Sequence, residues 1–450
     1  MGHTVRERIA RIRHWLRNSC SRKTASSYNR EPVRHSAGGP TVTDDYDFRA
    51  SDRRRARELD ELEARRLRAR ERQRAQLRAA HRRRRLTVLG VLGLTVGVAS
   101  GAWVWTSGTP KARQPIVPAK TAATPVKKVL RTMPVFTRGV HVSAPWAGQP
   151  GNLDRVLATP GLNLVELDVK DEGGEVAGLG AKTPALALRA GAQRNYYDLA
   201  HVTRLAHDRH IWVVARVVSF KDPIAARARP KIAIRDVHGG IWKDGGGVPW
   251  LNQYSPAAWK YLIDLAKAAA RSGVDEVQFD YVRFPSEGTL SDMRFPGRVK
   301  EPMDATIPRF LAAARKALKP FDVKLGVDVF GLAADHDLGI GQDIARIGKH
   351  VDVISPMLYP NHYTAGELGI MDPNADPSST VALSMGTFRS QLIASPNVKL
   401  RPWLQDFGGY TLTQVNAQTT AAKRQGAIGW MLWDAGMNYT WAAFGKSPSA

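Results

Sequence analysis

The stretch Val274-Asp275-Glu276-Val277-Gln278-Phe279-Asp280-Tyr281-Val282-Arg283-Phe284-Pro285 reads as a buried strand that ends in a carboxylate, a tyrosine and an arginine. Alternate side chains of a strand point to opposite faces, so Gln278 and Asp280 share a face opposite Val277 and Phe279. A face with a carboxylate at its end is not an oily interface. The same alternation recurs. Glu166, Asp168 and Lys170 share one parity against Val165, Leu167 and Val169, Arg216 stands in an apolar run, and Asp328 lies between Val327 and Val329. Other apolar runs end in His141, in Ser355-Pro356-Met357-Leu358-Tyr359, in Gln405-Asp406 and in Trp433-Asp434. Gln405 shares the parity of Trp403, which makes it the better inward candidate than Asp406. Carboxylates crowded on one axis push their pKa values apart, and one of them can stay protonated near neutrality. That is what glycoside hydrolysis needs: one carboxyl to give a proton and another to act as base or nucleophile. The competing reading is a buried ion-pair network of the Asp168–Lys170 and Asp280–Arg216 type, since an unpaired buried charge is costly.

Other chemistries find less support. The sequence has no His-Glu-x-x-His, no cysteine-based metal set, no Gly-x-x-x-x-Gly-Lys-[Ser/Thr] loop and no Gly-x-Ser-x-Gly elbow. No cofactor or metal is expected. His141 serves equally as a core histidine or a substrate ligand. Tyr359 and Trp433 have the aromatic body and polar handle of a sugar platform, or are simply core. Arg283 is expected to clamp a nearby loop carboxylate.

Positioning these groups takes eight strands. Apolar runs at 138–142, 162–169, 211–219, 276–282, 324–330, 353–359, 400–405 and 427–433 alternate with helical stretches near 151–158, 196–208, 255–272, 304–318, 340–349, 379–394 and 412–425. Ser255-Pro256 makes a good cap and first turn for the third helix, and Gly273 a stop. Strands alternating with helices pair in parallel. Eight such units over 135–450 predict an α/β fold, a (β/α)8 TIM barrel, whose active sites lie at the carboxyl ends of the strands. A doubly wound sheet is the alternative, but no Gly-x-Gly-x-x-Gly turn follows the first strand.

The chain before residue 135 has a different texture. The net charge is +25, and residues 1–85, with 25 Lys+Arg against 11 Asp+Glu, carry +14 of it. Leu86 to Thr106 is uncharged and apolar or small, about 31 Å long as a helix against a hydrocarbon core of about 30 Å. Arg82 to Arg85 precede it, and Trp103 and Trp105 lie at its far end. These flanks predict a single transmembrane helix at 86–106, with residues 1–85 as a basic, partly helical cytoplasmic tail and the barrel outside the cytoplasm. A cleaved signal peptide would have a shorter apolar core and a short basic region before it. The lipid bilayer is thus one expected partner, and the tail is placed to meet anionic lipid, a simpler explanation for its charge than nucleic acid. Residues 107–134, rich in Pro, Ala, Thr and Lys, read as a linker of up to about 85 Å. The only cysteine, Cys20, precedes the apolar stretch, so the exported part has no disulfides.

Gly139-Val140-His141-Val142-Ser143, Asp168-Val169-Lys170-Asp171, Phe279-Asp280-Tyr281-Val282-Arg283-Phe284-Pro285, Met357-Leu358-Tyr359-Pro360 and Gln405-Asp406-Phe407 resemble the signatures of a bacterial family of glycoside-hydrolase-like TIM-barrel domains, over roughly residues 135–445. The resemblance implies sugar chemistry and transfers no assignment of acid and nucleophile. A more distant likeness is to family-eighteen chitinases, whose fourth strand ends Asp-x-x-Asp-x-Asp-x-Glu. Asp275 and Asp280 match the first and third acids. Gln278 replaces the second, and Val282 stands in place of the catalytic glutamate. The alpha-amylase clan puts acids on strands four, five and seven, where Asp280, Asp328 and Asp406 stand. The resulting expectation is a membrane-anchored glycoside hydrolase of polysaccharide or cell-wall glycan. Asp280 is its nucleophile or base and Asp328 its acid, with Asp168 in support. His141, Lys170, Arg216, Gln278, Tyr359, Gln405, Asp406 and Trp433 would surround the sugar. Glu172 and Glu287, in loops after strands two and four, are alternative acids. The rival expectation is a catalytically silent barrel that binds glycan or scaffolds the envelope.

Overall fold

A computed structural model describes residues 132–445. The expected tail and transmembrane helix, and the linker up to residue 131, lie outside these residues. No helix among the described residues is long and apolar enough to cross a membrane.

Eight parallel strands close on themselves. They are β1 (Thr137–Val142), β2 (Leu164–Lys170), β3 (Trp212–Val218), β4 (Glu276–Asp280), β5 (Lys324–Phe330), β6 (Val353–Leu358), β7 (Lys399–Leu400 and Trp403–Gln405) and β8 (Gly429–Trp433). Each pairs with the next, and β1 closes the ring by pairing with both β2 and β8. This is the parallel α/β barrel, and all eight strands fall where the sequence places them. Its outer face is a layer of Val, Leu and Ala packed against helices. Phe279 on β4, for example, meets Phe310 of the helix Met303–Leu318 edge-on, with centroids 5.1 Å apart. The helix Pro256–Ala270 begins as expected, with the Ser255 hydroxyl accepting from the Ala258 N–H, and Gly273 follows at φ 95°.

Four local departures from the sequence expectation have physical causes. The strand expected at 276–282 ends at Asp280, because Tyr281 turns the chain at φ 47°. The strand at 400–405 is split, because Pro402 has no N–H for the ladder, although its carbonyl accepts from Met431 N. Two short strands, Val176–Gly178 and Gln193–Asp198, extend the sheet beyond β2, so the helix expected from 196 starts at Leu199, capped by Asp198. The helical stretch expected at 340–349 shrinks to the single turn Ile344–Ile347.

Candidate active site

The barrel interior is polar in layers. At the floor, Arg401 of the β7 break grips Glu276 through both guanidinium ends (Nη1–Oε2 3.0 Å, Nη2–Oε1 2.6 Å), and Trp212 Nε1 donates to Glu276 Oε2 at 3.1 Å. Both charged side chains are wholly buried. Gly326 is required here, since a Cβ would come within 2.5 Å of Glu276 Oε1 and 2.9 Å of Gln278 Oε1. Above the floor, Gln278 is a hub. Its Oε1 accepts from Arg401 Nη2 (2.9 Å) and Ser355 Oγ (3.3 Å), and its Nε2 donates to Glu166 Oε1 (2.9 Å) and Asp328 Oδ1 (2.6 Å). Trp403 Nε1 also donates to Asp328 Oδ1, at 2.6 Å. Among the described residues, Glu166 Oε2 and Asp328 Oδ2 have no hydrogen-bond partner. Burial first, and then the neighbouring acids, push both carboxyls well above the ordinary range. Two carboxyls buried this close to each other do not readily ionise together, which favours the protonated form.

At the mouth, Arg216 of β3 collects three carboxylates. Nη1 donates to Asp168 Oδ1 (2.6 Å), Nε and Nη2 donate to Asp280 Oδ2 (3.0 and 2.6 Å), and Glu172 Oε2 lies 3.5 Å from Nη2. His141 Nε2 lies 3.1 Å from Asp168 Oδ1, off the line of a hydrogen bond. Burial would raise the Asp168 pKa, but His141 and Arg216 outweigh it and bring it down to about 2. Asp280 Oδ1 accepts from the N–H of Tyr281 at 2.6 Å. The left-handed φ of Tyr281, rare for a bulky residue, turns that N–H back onto the preceding carboxylate.

A cavity of about 710 Å3 opens above this layer. Arg216, Asp280 and Asp328 form part of its base, with Glu172 and Glu287 on its sides and Trp433, Trp403, Tyr359, Tyr281 and Met357 as apolar walls. Trp433 also stacks on His141 at 4.6 Å between centroids, with Arg216 Cζ 5.8 Å from the Trp433 ring centroid.

The structure sorts the candidate residues. Asp280, Asp328, Arg216, Tyr359 and Trp433 line the cavity. Asp168, His141 and Gln278 stand directly behind the liners. Lys170 belongs to another place. The ladder slips one residue between Asp168 and Lys170, and the Lys170 side chain leaves the barrel axis. It pairs with Asp222 at 3.2 Å and donates to the Val218 and Lys221 carbonyls, wholly buried, so the expected Asp168–Lys170 pair is replaced by Asp168–Arg216. Gln405 braces loops, accepting from Asn361 N and donating to Phe407 O, while Asp406 accepts both the N–H and the hydroxyl of Thr440. Neither lines the cavity. Asp275, the first acid of the chitinase-like spacing, accepts from Val213 N at 2.8 Å and meets His207 Nε2 at 2.9 Å. Among the described residues, Arg283 holds no loop carboxylate, and it lies among aromatic rings. Glu166, Glu276, Arg401 and Trp403 also stand in the interior. Their parity with Asp168, Asp280 and Gln405 was a usable signal for all four.

A parallel eight-stranded barrel with acids gathered at the carboxyl ends of its strands defines a class of barrel-mouth enzymes. The chain belongs to the family described as "Putative glycosyl hydrolase domain", which matches residues 139–439. Among solved structures it is similar to a hypothetical protein from Ruminiclostridium thermocellum (34% identity, covering 42% of this chain and 97% of that one, TM-score 0.38). It is also similar to the PgaB (BpsB) glycoside hydrolase domain from Bordetella bronchiseptica (13%, 66% and 94%, TM-score 0.49) and to a Group IV chitinase from Ostrinia furnacalis (12%, 69% and 95%, TM-score 0.42). No curated protein matches the chain.

Proposed function

We propose that the barrel hydrolyses glycosidic bonds of a polysaccharide or cell-wall glycan, with Asp328 as the acid and Asp280 as the nucleophile or base. One observation carries this reading. Two carboxyls open to the same cavity in opposite settings: Asp328 is buried with an unpartnered oxygen, and Asp280 is held against a guanidinium. The protonated Asp328 gives its proton to the leaving oxygen while Asp280 supplies electron density to the anomeric carbon, directly or through water. Arg216 fixes Asp280, and Asp168 with His141 fixes Arg216. Trp433 and Tyr359 offer ring faces to the sugar. The test is release of reducing ends by the full-length protein from a panel of polysaccharides and cell-wall glycan. Release that disappears in both Asp280→Asn and Asp328→Asn supports the assignment. Glycan binding without release, unchanged in both variants, would show a silent carbohydrate-binding barrel instead.

The proposed setting is a membrane-anchored enzyme outside the cytoplasm. Residues 86–106 span the bilayer, residues 1–85 meet anionic lipid from the cytoplasmic side, and 107–134 hold the barrel at residues 135–450 clear of the surface. The charge-free length of 86–106, preceded by four arginines and carrying two tryptophans at its far end, supports this. Protease added to intact cells should remove the barrel and leave a membrane-bound stub. A barrel that resists until the cells are lysed would overturn the orientation.

A further inference from the structure

Arg283 takes no part in the chemistry assigned to Asp280 and Asp328, yet it lines the same cavity and is only 7% exposed. Its guanidinium carbon lies 4.5 Å from the Phe330 ring centroid and 5.1 Å from those of Trp250 and Tyr281. Its Nη1 donates to the Phe284 carbonyl (3.0 Å) and to Ser286 Oγ (3.3 Å). Nε and Nη2 make no hydrogen bond, and among the described residues no carboxylate forms an ion pair with the group. The other two arginines of the barrel interior are committed differently: Arg401 grips Glu276, and Arg216 holds Asp168 and Asp280. A buried cation is costly without a counter-ion. Burial accordingly lowers the pKa of Arg283. The aromatic cage offsets part of this cost through the ring faces. It also fixes the plane of the fork and leaves the Nε–Nη2 edge unspent, which is the edge that takes a carboxylate through two parallel bonds.

The geometry points to an anion subsite at Arg283 that selects a carboxylate-bearing sugar. The inference rests on the glycan-hydrolase reading and specifies its substrate class. The cavity also presents Glu172, Glu287 and Asp280, the last two near enough to act on Arg283, and these repel an anionic substituent, so an acidic sugar is accepted only in the register that places its carboxylate on Arg283. A uronic acid, on its ring, and an N-acetylmuramic unit, on its lactyl ether, are two sugars that carry such a group.

The test measures binding alone, by titration calorimetry on the full-length Asp280→Asn protein in detergent. The probes are a short oligogalacturonate with its carboxyl-reduced counterpart, and a muramic-acid-containing disaccharide with its amidated counterpart. Acidic probes of at least one pair should bind about 10- to 100-fold tighter than the neutral match, and the pair that shows this identifies the source of the carboxylate. Arg283→Met keeps the stem among the rings and should erase the preference. Arg283→Lys, which keeps the charge without the fork, should retain part of it. Equal affinities within both pairs overturn the subsite, as does a preference that survives in Arg283→Met. If Arg283→Met fails to fold, the lysine variant decides: an undiminished preference overturns recognition of the carboxylate by the guanidinium fork, because a point charge would then suffice. If no probe binds and the parent protein cleaves no glycan, the hydrolase reading itself fails. Cleavage with equal acidic and neutral binding sinks only the subsite.

Discussion

The floor and the mouth of the barrel use the same residue types to opposite ends. At the floor, Arg401 and Glu276 meet fork to fork, Trp212 and Gln278 take further valences, and every polar group of that set except Arg401 Nε has a partner. At the mouth, Arg216 is divided among Asp168, Asp280 and Glu172, while Asp328 keeps an oxygen without a partner beside an open cavity. The floor is a closed pair that holds strands together. The mouth is an open set whose remaining valences are available to a substrate. Gln278 touches both layers, accepting from the floor arginine and donating to the acids above. Burial of charge therefore does not by itself distinguish the two regions; incomplete pairing next to a cavity does.

The widest separation between the two regions should appear in activity. Asp280→Asn is expected to lower glycan hydrolysis by at least about 1,000-fold, and Asp328→Asn by about 100- to 10,000-fold. The amide keeps the size of the side chain and Arg216 keeps Asp168, so both variants should fold, with thermal unfolding lowered by several degrees in Asp280→Asn, where Arg216 loses one of its carboxylates. Reducing-end release beside a melting curve reads both. Activity that survives in Asp280→Asn, or a collapse of the fold, would move Asp280 into the class of the floor.

The floor should show the reverse. Arg401→Met leaves Glu276 buried without its cation and is expected to cost about 3–5 kcal/mol of stability. Glu276→Gln/Arg401→Met, which removes both charges, should cost less than the single arginine change. Denaturant unfolding of the parent, Arg401→Met, Glu276→Gln and the double variant gives the coupling. If the single and double variants lose equal stability, the floor pair is not the closed unit described above.

How far each region could be read from the chain follows from the range of the interactions. The eight strands and the inward parity of Asp168, Asp280 and Asp328 were legible because alternation is local. The same parity extends to Glu166, Glu276, Arg401 and Trp403, but their roles depend on partners far apart in sequence. Glu276 and Arg401 are separated by 125 residues, and Trp403 and Asp328 by 75. Lys170 was misplaced by a one-residue slip in the ladder, which reverses a side chain and leaves no mark on the pattern. Arg283, expected to hold a loop carboxylate, has rings around it instead. The rings around it come from three segments, 250, 281 and 330, that only the barrel brings together.

Within the mouth itself, Asp168 should behave as a support for Arg216. Its carboxyl is held down at about 2 against an ordinary value near 3.9, so it contributes stability that is present above the unfolded value and is lost as pH falls through about 2. The linked free energy is about 2–3 kcal/mol. Asp168→Asn should lose this amount at pH 7 and lose progressively less below pH 4, by denaturant unfolding at both pH values. A penalty that persists unchanged in acid would mean that the charge on Asp168 is not what stabilises the fold.

Glu166 and Asp328 have the opposite sign, and they provide the finest contrast with the floor. Both carboxyls are raised in the folded protein, by burial first, and Gln278 joins them. A raised carboxyl favours folding fully below its unfolded value, and that contribution is lost as pH rises toward the folded value. For each such proton the slope is at most about 1.4 kcal/mol per pH unit. Glu166→Gln replaces a carboxyl that must keep its proton with an amide that has none to lose, and it preserves the oxygen that accepts from Gln278. The variant should therefore gain on the parent protein steadily from about pH 4 upward, with the difference levelling once the parent carboxyl ionises. Glu166 does not line the cavity, so this gain should come without the loss of hydrolysis that follows Asp328→Asn. Parallel stability curves for parent and variant between pH 4 and 8 would mean that Glu166 is ionised in the folded state. It would then resemble Glu276 in the floor rather than Asp328 in the mouth.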